Sequence, residues 1–228
     1  NTVVVLLSGN AVEMPWEAKI PAIVQGWYLG TMGGQSLANV LSGKVNPSGK
    51  LPFSFPVKLE DCGAHSFGDI CYPGDSINEK YLEDILVGYR WHDTKKIAPK
   101  YSFGHGLSYT DFTYGKAELS SKTIAADGSI TLSIPVTNTG KSAGKEVVQL
   151  YIGDDKASVF RPLKELKGFS KISLAPGETK NVTFTITPDD LKFYDETTKG
   201  WIAEPGKFTA YVGSSSTDIR AKATFDYK

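Results

Sequence analysis

Cysteine is nearly absent from this sequence: Cys62 and Cys71 are the only two in 228 residues. A disulfide-dense scaffold is thereby excluded, because such folds need several bridges. The two lie close together in a segment rich in Gly, His and Asp. Their spacing permits a loop-closing disulfide without requiring one, and two free thiols are the other reading. A Cys62–His65–Cys71 trio lacks a fourth ligand and any CxxC or HxxxH pattern, so neither a metal nor a cofactor is expected. The chain also lacks an excess of charge of either sign. Lys plus Arg and Asp plus Glu each number 25, which leaves no electrostatic footprint for nucleic acid or an anionic membrane. No apolar run approaches the ~20 residues that cross a bilayer, and no leader pattern precedes the first strand.

What the sequence has instead is a strand–turn–helix–turn–strand pattern over Ala22–Pro56. Ala22–Tyr28 is apolar without strict alternation, as in a strand buried on both faces of a parallel sheet. Gly33 and Gly34 let the backbone turn into a short helix with Leu37, Val40 and Leu41 on one face, and Gly43 is its expected left-handed cap. Asn46-Pro47-Ser48-Gly49 is a turn by composition, and Leu51–Phe55 reads as a further strand. Val3–Leu7 precedes all of this, followed by a crossover through Val12–Trp16 in which Pro15 suits a first helical turn. Residues 1–56 are therefore expected to hold three parallel strands and two right-handed crossovers. Open sheets of this kind bind ligands beyond the carboxyl ends of their strands. Three strands are too few for a free-standing sheet covered on both faces. With Val3 so near a first residue that is not Met, the expectation is a sequence cut from a longer protein whose missing half lies upstream.

From Val57 to Lys100 the pattern weakens into a long glycine- and proline-punctuated connector. His92 after Trp91, and His105 in Phe103-Gly104-His105-Gly106, have no acid or nucleophile spaced near them. The reading favoured for both is a structural histidine rather than a catalytic one. Beyond Gly115 the apolar period becomes two. Ile130, Leu132, Ile134 and Val136; Val148, Leu150 and Ile152; Val182, Phe184 and Ile186; Phe208, Ala210 and Val212; and Ile219, Ala221, Ala223 and Phe225 each mark one inward face, separated by turns. About seven short strands at this spacing make a β-sandwich, and with no cysteine pair crossing it the fibronectin type III-like form is preferred. The domain expectation is an α/β part over 1–58, a connector packing on both domains over 59–115 and the sandwich over 116–228.

These residues also carry a family resemblance. TVVVLLSGNAVEMPW, AIVQGWYLG, GGQSLANVLSGKVNPSGKLPFSFP, VGYRW, FGHGLSYT, VTNTGKSAGKEVVQLYI, RPLKELKGF, LAPGE, LKFYD and EPGKF occur in an order that resembles the carboxyl-terminal part of three-domain glycoside hydrolase family 3 enzymes. That family includes β-glucosidases and β-xylosidases. The resemblance implies an α/β plus all-β chain: the second half of an α/β/α sandwich with parallel strands, then a fibronectin type III-like β-sandwich. It also implies an upstream (β/α)8 barrel and first half of the sandwich as partners within the same protein. The family's members are retaining exo-glycosidases in which a barrel Asp attacks the anomeric carbon and a Glu from the sandwich protonates the leaving oxygen. That Glu belongs to a loop before the strand matching Val3–Leu7, so no catalytic carboxylate is expected in this chain.

The part left to this chain is the cleft wall. Asn10 and Glu13 follow the first strand and Tyr28 follows the second, which makes these three the substrate-cleft candidates. Trp16, Trp27 and Tyr28 have faces on which a sugar can stack, although buried core is the favoured reading for Trp27 and Tyr28. For Glu13 a structural acceptor at a helix start is favoured over a sugar contact. The expected whole-protein activity is hydrolysis of terminal β-linked sugars, β-glucosides first and β-xylosides as the alternative, with an oligosaccharide or glycoside as substrate. A non-catalytic carbohydrate-binding module and a purely structural domain are the competing classes. The resemblance points to a secreted or periplasmic compartment. Asn181-Val182-Thr183 fits a glycosylation sequon, and Pro47 disqualifies Asn46-Pro47-Ser48.

Overall fold

Strand β1 (Val3–Leu6) and strand β2 (Ala22–Gln25) pair in parallel, Val3 opposite Ala22 through Leu6 opposite Gln25. The computed structural model in which they are seen describes residues 2–228, and its contacts divide the chain into two compact units, Asn1–Tyr109 and Thr110–Lys228. The boundary differs from the expected 1–58, 59–115 and 116–228. Most of the supposed connector belongs to the first unit, where its Trp91, Leu86 and Cys71 are buried.

Between β1 and β2 the crossover contains only a single 3-10 turn, Glu17–Lys19. Helix α1 (Gly33–Leu41) follows β2 as its apolar spacing requires. Gly43 closes it at φ +75°, donating its N–H to the Val40 carbonyl at 3.0 Å.

The expected third parallel strand over Leu51–Phe55 does not form. That segment runs against residues 100–106 instead. The Leu51 N–H donates to the His105 carbonyl at 2.8 Å, Gly104 returns a bond to Leu51 at 2.8 Å, and the Phe55 N–H donates to Tyr101 at 2.7 Å. Phe55 and Tyr101 form an antiparallel bridge. Pro52 and Pro56 remove two backbone donors from the segment, so a full ladder cannot be built on it. The alternating glycines of Phe103-Gly104-His105-Gly106 serve this pairing. A Cβ on Gly106 would run into the Gly49 carbonyl oxygen. Helix α2 (Tyr89–Lys95) completes the regular structure of the unit and buries Trp91 and His92.

The second unit follows the period-two pattern. Its strands are β3 (Phe112–Tyr114), β4 (Glu118–Leu119), β5 (Thr123–Ile124), β6 (Ile130–Asn138), β7 (Gly144–Asp154), β8 (Glu165–Leu174), β9 (Thr179–Ile186), β10 (Phe193–Asp195), β11 (Gly200–Ile202), β12 (Gly206–Gly213) and β13 (Ile219–Tyr227). One sheet runs β5-β13-β12-β7-β8. In the other, β6 carries β9 on one edge and β3 and β4 on the other. Ile134, Val136, Val148, Val212, Phe208 and Ile186 are fully buried between them. Phe208 and Phe225, opposite each other in the β12–β13 register, stack at 5.8 Å. Strand β8 escapes a period-two reading, since Gly168 interrupts it, Lys167 and Lys171 charge it, and Phe169 points outward at 69% exposure. The architecture is the expected one: an α/β unit followed by a fibronectin type III-like sandwich.

Candidate functional site

The first unit's strand ends are fastened to each other by one side chain. Gln25, the last residue of β2, donates its Nε2 to the Ser8 carbonyl at 2.9 Å, with the Ser8 Oγ at 3.3 Å. Ser8 Oγ in turn donates to the Asn10 carbonyl at 2.9 Å. The Gly26 N–H donates to the Leu6 carbonyl at 2.8 Å, which carries the parallel pairing one step past β2.

At Trp27 the backbone then enters the left-handed region, φ +53°. This is rare for a bulky residue and requires surroundings that hold it. The holding contact is aromatic: the indole meets Phe53 at 5.2 Å and Phe55 at 6.3 Å. Trp27 is therefore a packing residue, in line with the favoured reading. Its turn sends Tyr28 outward, and here the core reading fails: Tyr28 is 85% exposed. The Tyr28 phenol lies over Gly9, where an added Cβ would overlap it. Asn10, the next residue, is also exposed. Asn10 and Tyr28 thus adjoin at the carboxyl ends of the two strands.

Glu13 does not join them. Its Oε1 accepts the Leu59 N–H at 2.6 Å, at the first residue of the 3-10 turn Leu59–Asp61. That is an acceptor at a helix start, although the helix belongs to a segment 46 residues further on. Glu17, which the sequence did not single out, is engaged as well. It accepts Lys100 Nζ at 3.2 Å and the Tyr101 hydroxyl at 2.8 Å. The Tyr101 hydrogen bond, then that from Lys100, holds the Glu17 carboxyl below its ordinary range. Burial, reinforced by Glu17, pushes the Tyr101 phenol up to about 12. The Tyr101 ring stacks on His105 at 5.2 Å. No sequence signal links partners more than 80 residues apart.

The remaining candidates have structural surroundings. His92 is buried with Nδ1 3.1 Å from the Ile97 carbonyl oxygen. Cys62 and Cys71 are free thiols, so the disulfide their spacing permits is not formed. Burial, with the Asp61 and Glu13 carboxylates nearby, pushes the Cys62 thiol up and away from the reactive thiolate. Among the described residues no group of three His, Cys, Asp or Glu is arranged to hold a metal ion, and no helix is long and apolar enough to cross a membrane.

The first unit therefore presents a rim with an exposed aromatic face and an amide. Glycosidic hydrolysis with retention needs two carboxyl groups about 5 to 5.5 Å apart, one of them with a raised pKa. Glu17 is shifted the other way.

Comparison with known proteins agrees with this geometry. Residues 1–109 match the glycosyl hydrolase family 3 C-terminal domain, and residues 146–216 match the fibronectin type III-like domain. A β-glucosidase of Bacteroides ovatus is 62% identical over the whole chain, and thermostable β-glucosidase B of Acetivibrio thermocellus is 47% identical over 97% of it. The chain spans 30% and 29% of those proteins' own lengths. Among solved structures, the β-glucosidase DesR from Streptomyces venezuelae, in complex with D-glucose, superposes with a TM-score of 0.93 at 40% identity. The match takes in 99% of this chain and 29% of that one. Two domain matches in the family's order, on a fold shared with its β-glucosidases, place the chain in glycoside hydrolase family 3, as the carboxyl-terminal part of a member.

Proposed function

We propose that this chain is the carboxyl-terminal portion of a retaining, exo-acting β-glycosidase of β-glucosidase type, which releases terminal β-linked sugars from oligosaccharides and glycosides. The supporting observation is the match of essentially the entire chain to proteins named β-glucosidase, each more than three times as long. β-Xylosidase is the alternative within the family. An upstream barrel and the first half of the sandwich contribute the nucleophile and the acid. This chain contributes the rim formed by Asn10 and Tyr28, whose phenol faces one side of the bound sugar. Glu13 keeps the rim in place through Leu59 rather than touching substrate. The working compartment is the periplasm or the cell exterior.

The test is the initial rate on a chromogenic β-glucoside with this chain alone, the upstream portion alone and the two combined. The chain alone is expected to stay at background, because general acid catalysis by itself contributes roughly a hundred- to ten-thousand-fold. The combination is expected to turn over, with Tyr28→Ala raising KM more than Trp201→Ala does. Activity in the chain alone that is lost on mutating one of its own carboxylates would overturn the assignment.

A further inference from the structure

The second unit carries an aromatic ribbon that the proposed hydrolytic role does not use. Strands β10 and β11 pair with Tyr194 opposite Trp201. Both rings are exposed, at 51% and 67%, and they meet edge to face with centroids 5.9 Å apart. The ribbon is held stiffly. Asp195 accepts the Thr198 N–H at 3.0 Å and the Thr198 hydroxyl at 2.6 Å across its turn. On the ribbon's other face, the Arg161 guanidinium lies 5.3 Å from the Phe193 ring and donates to the Leu191 carbonyl at 3.1 Å. Phe193 thus anchors one face to the sandwich, and strand alternation leaves Tyr194 and Trp201 on the opposite one.

Lys192 immediately precedes β10 and Ala203 immediately follows β11, where Ala203 packs against the sandwich core. Both line an open cleft of about 380 Å³ whose other walls include Asp127, Thr187, Asp189 and Tyr227. Lys192 Nζ is 2.6 Å from Asp189 Oδ1, and the Asp189 side chain is 82% exposed, so its carboxylate remains within reach of a ligand. The exposed aromatic pair is therefore separated by only one residue on each strand from the Lys192 and Ala203 wall of a cleft of charged and hydroxyl groups. A purely apolar protein partner would bury Asp127, Asp189 and Lys192 at a cost of desolvation. A pyranose matches both parts, with C–H faces for the rings and hydroxyl edges that donate to carboxylates and accept from Lys192.

We propose that this face is a carbohydrate-binding site, with Tyr194 and Trp201 as the stacking platform and Asp127, Asp189 and Lys192 as hydroxyl partners. The ligand class is a short β-linked glucosyl oligosaccharide. That choice of sugar rests on the β-glucosidase reading, whereas the site itself rests on the ribbon and the cleft.

The experiment is saturation-transfer NMR on the 228-residue chain at micromolar concentration with cellotetraose, laminaritetraose and, as a sugar of another class, mannotetraose. Saturable transfer from a β-glucosyl oligomer is expected. Trp201→Ala should abolish it, Tyr194→Ala should weaken it about tenfold, and Trp201→Phe should retain part of it. Asp189→Asn should weaken binding without changing the melting profile, and Tyr28→Ala should leave it unchanged. Saturable binding of mannotetraose alone, lost in Trp201→Ala, would uphold the site while refuting the β-glucosyl ligand. The site is overturned if no oligosaccharide saturates, if binding survives both aromatic substitutions, or if it is lost in Tyr28→Ala. It is equally overturned if Trp201→Ala changes only the oligomeric mass by light scattering. No arm depends on hydrolysis, so failure of the activity reading and failure of the site are told apart.

Discussion

Asn138 shows how much one side chain can carry in the sandwich. It is fully buried, donates to the Ser142 carbonyl at 2.8 Å and the Leu174 carbonyl at 3.1 Å, and accepts from the Thr110 hydroxyl at 2.7 Å and the Gly140 N–H at 3.1 Å. Asn138→Ala strips partners from several buried groups and should cost at least about 2 kcal/mol in denaturant titration. Asn138→Asp should not rescue it, because a carboxylate cannot donate to the two carbonyls. The Glu17–Tyr101 pair makes a prediction on both sides of neutrality. The Glu17 pKa is lowered on folding, so its contribution is present above the ordinary carboxylate value and is lost as pH falls through the folded value. The Tyr101 pKa is raised to about 12, so its contribution is complete below the ordinary phenol value and is lost as pH rises through about 12. Tyr101→Phe should remove a tyrosinate step at about pH 12 from an absorbance titration. Glu17→Gln should flatten the acid limb of that unit's stability.

Among the elements, the segment around Leu51–Phe55 carries the lesson. Its apolar run resembles a strand and its position after α1 suggests a parallel one, but prolines at 52 and 56 and the glycine-flanked partner at 104–106 turn it into a short antiparallel contact. Gly106→Ala should destabilise the first unit by about 1 to 3 kcal/mol, since its Cβ meets the Gly49 backbone and neither side can yield cheaply. Gly43→Ala, at φ +75° with open space around it, should cost only about 1 kcal/mol. Hydrogen exchange at the Leu51 and Gly104 amides should accelerate in the first variant and not in the second.

For the molecule as a whole, the two units differ in how their apolar residues are placed. The sandwich closes on its own core, with residues from both sheets wholly buried. The first unit has a two-stranded sheet and leaves Leu7, Met32, Leu41 and Val45 substantially exposed. Residues 110–228 expressed alone should therefore melt in one cooperative transition, with Ile134→Ala costing about 2 to 5 kcal/mol. Residues 1–109 alone should associate as concentration rises, by light scattering.

The sandwich was legible because its signal is local. A period of two over eight or nine residues needs no knowledge of distant partners, and every inward position from Ile130 to Val136 obeys it. The first parallel pair and α1 were legible for the same reason, from apolar spacing and the glycine that ends the helix. Chain order added the family, since many short motifs in one sequence order are far more specific than any one of them. Folding alone settled what depends on residues far apart. Tyr28 faces outward because Trp27 is pulled onto Phe53 and Phe55. Glu13 is occupied because Leu59 comes to meet it, and Glu17 because Lys100 and Tyr101 do. Leu51–Phe55 pairs with 100–106 because hydrogen-bond donors and close backbone approach, rather than apolar character, choose its partner.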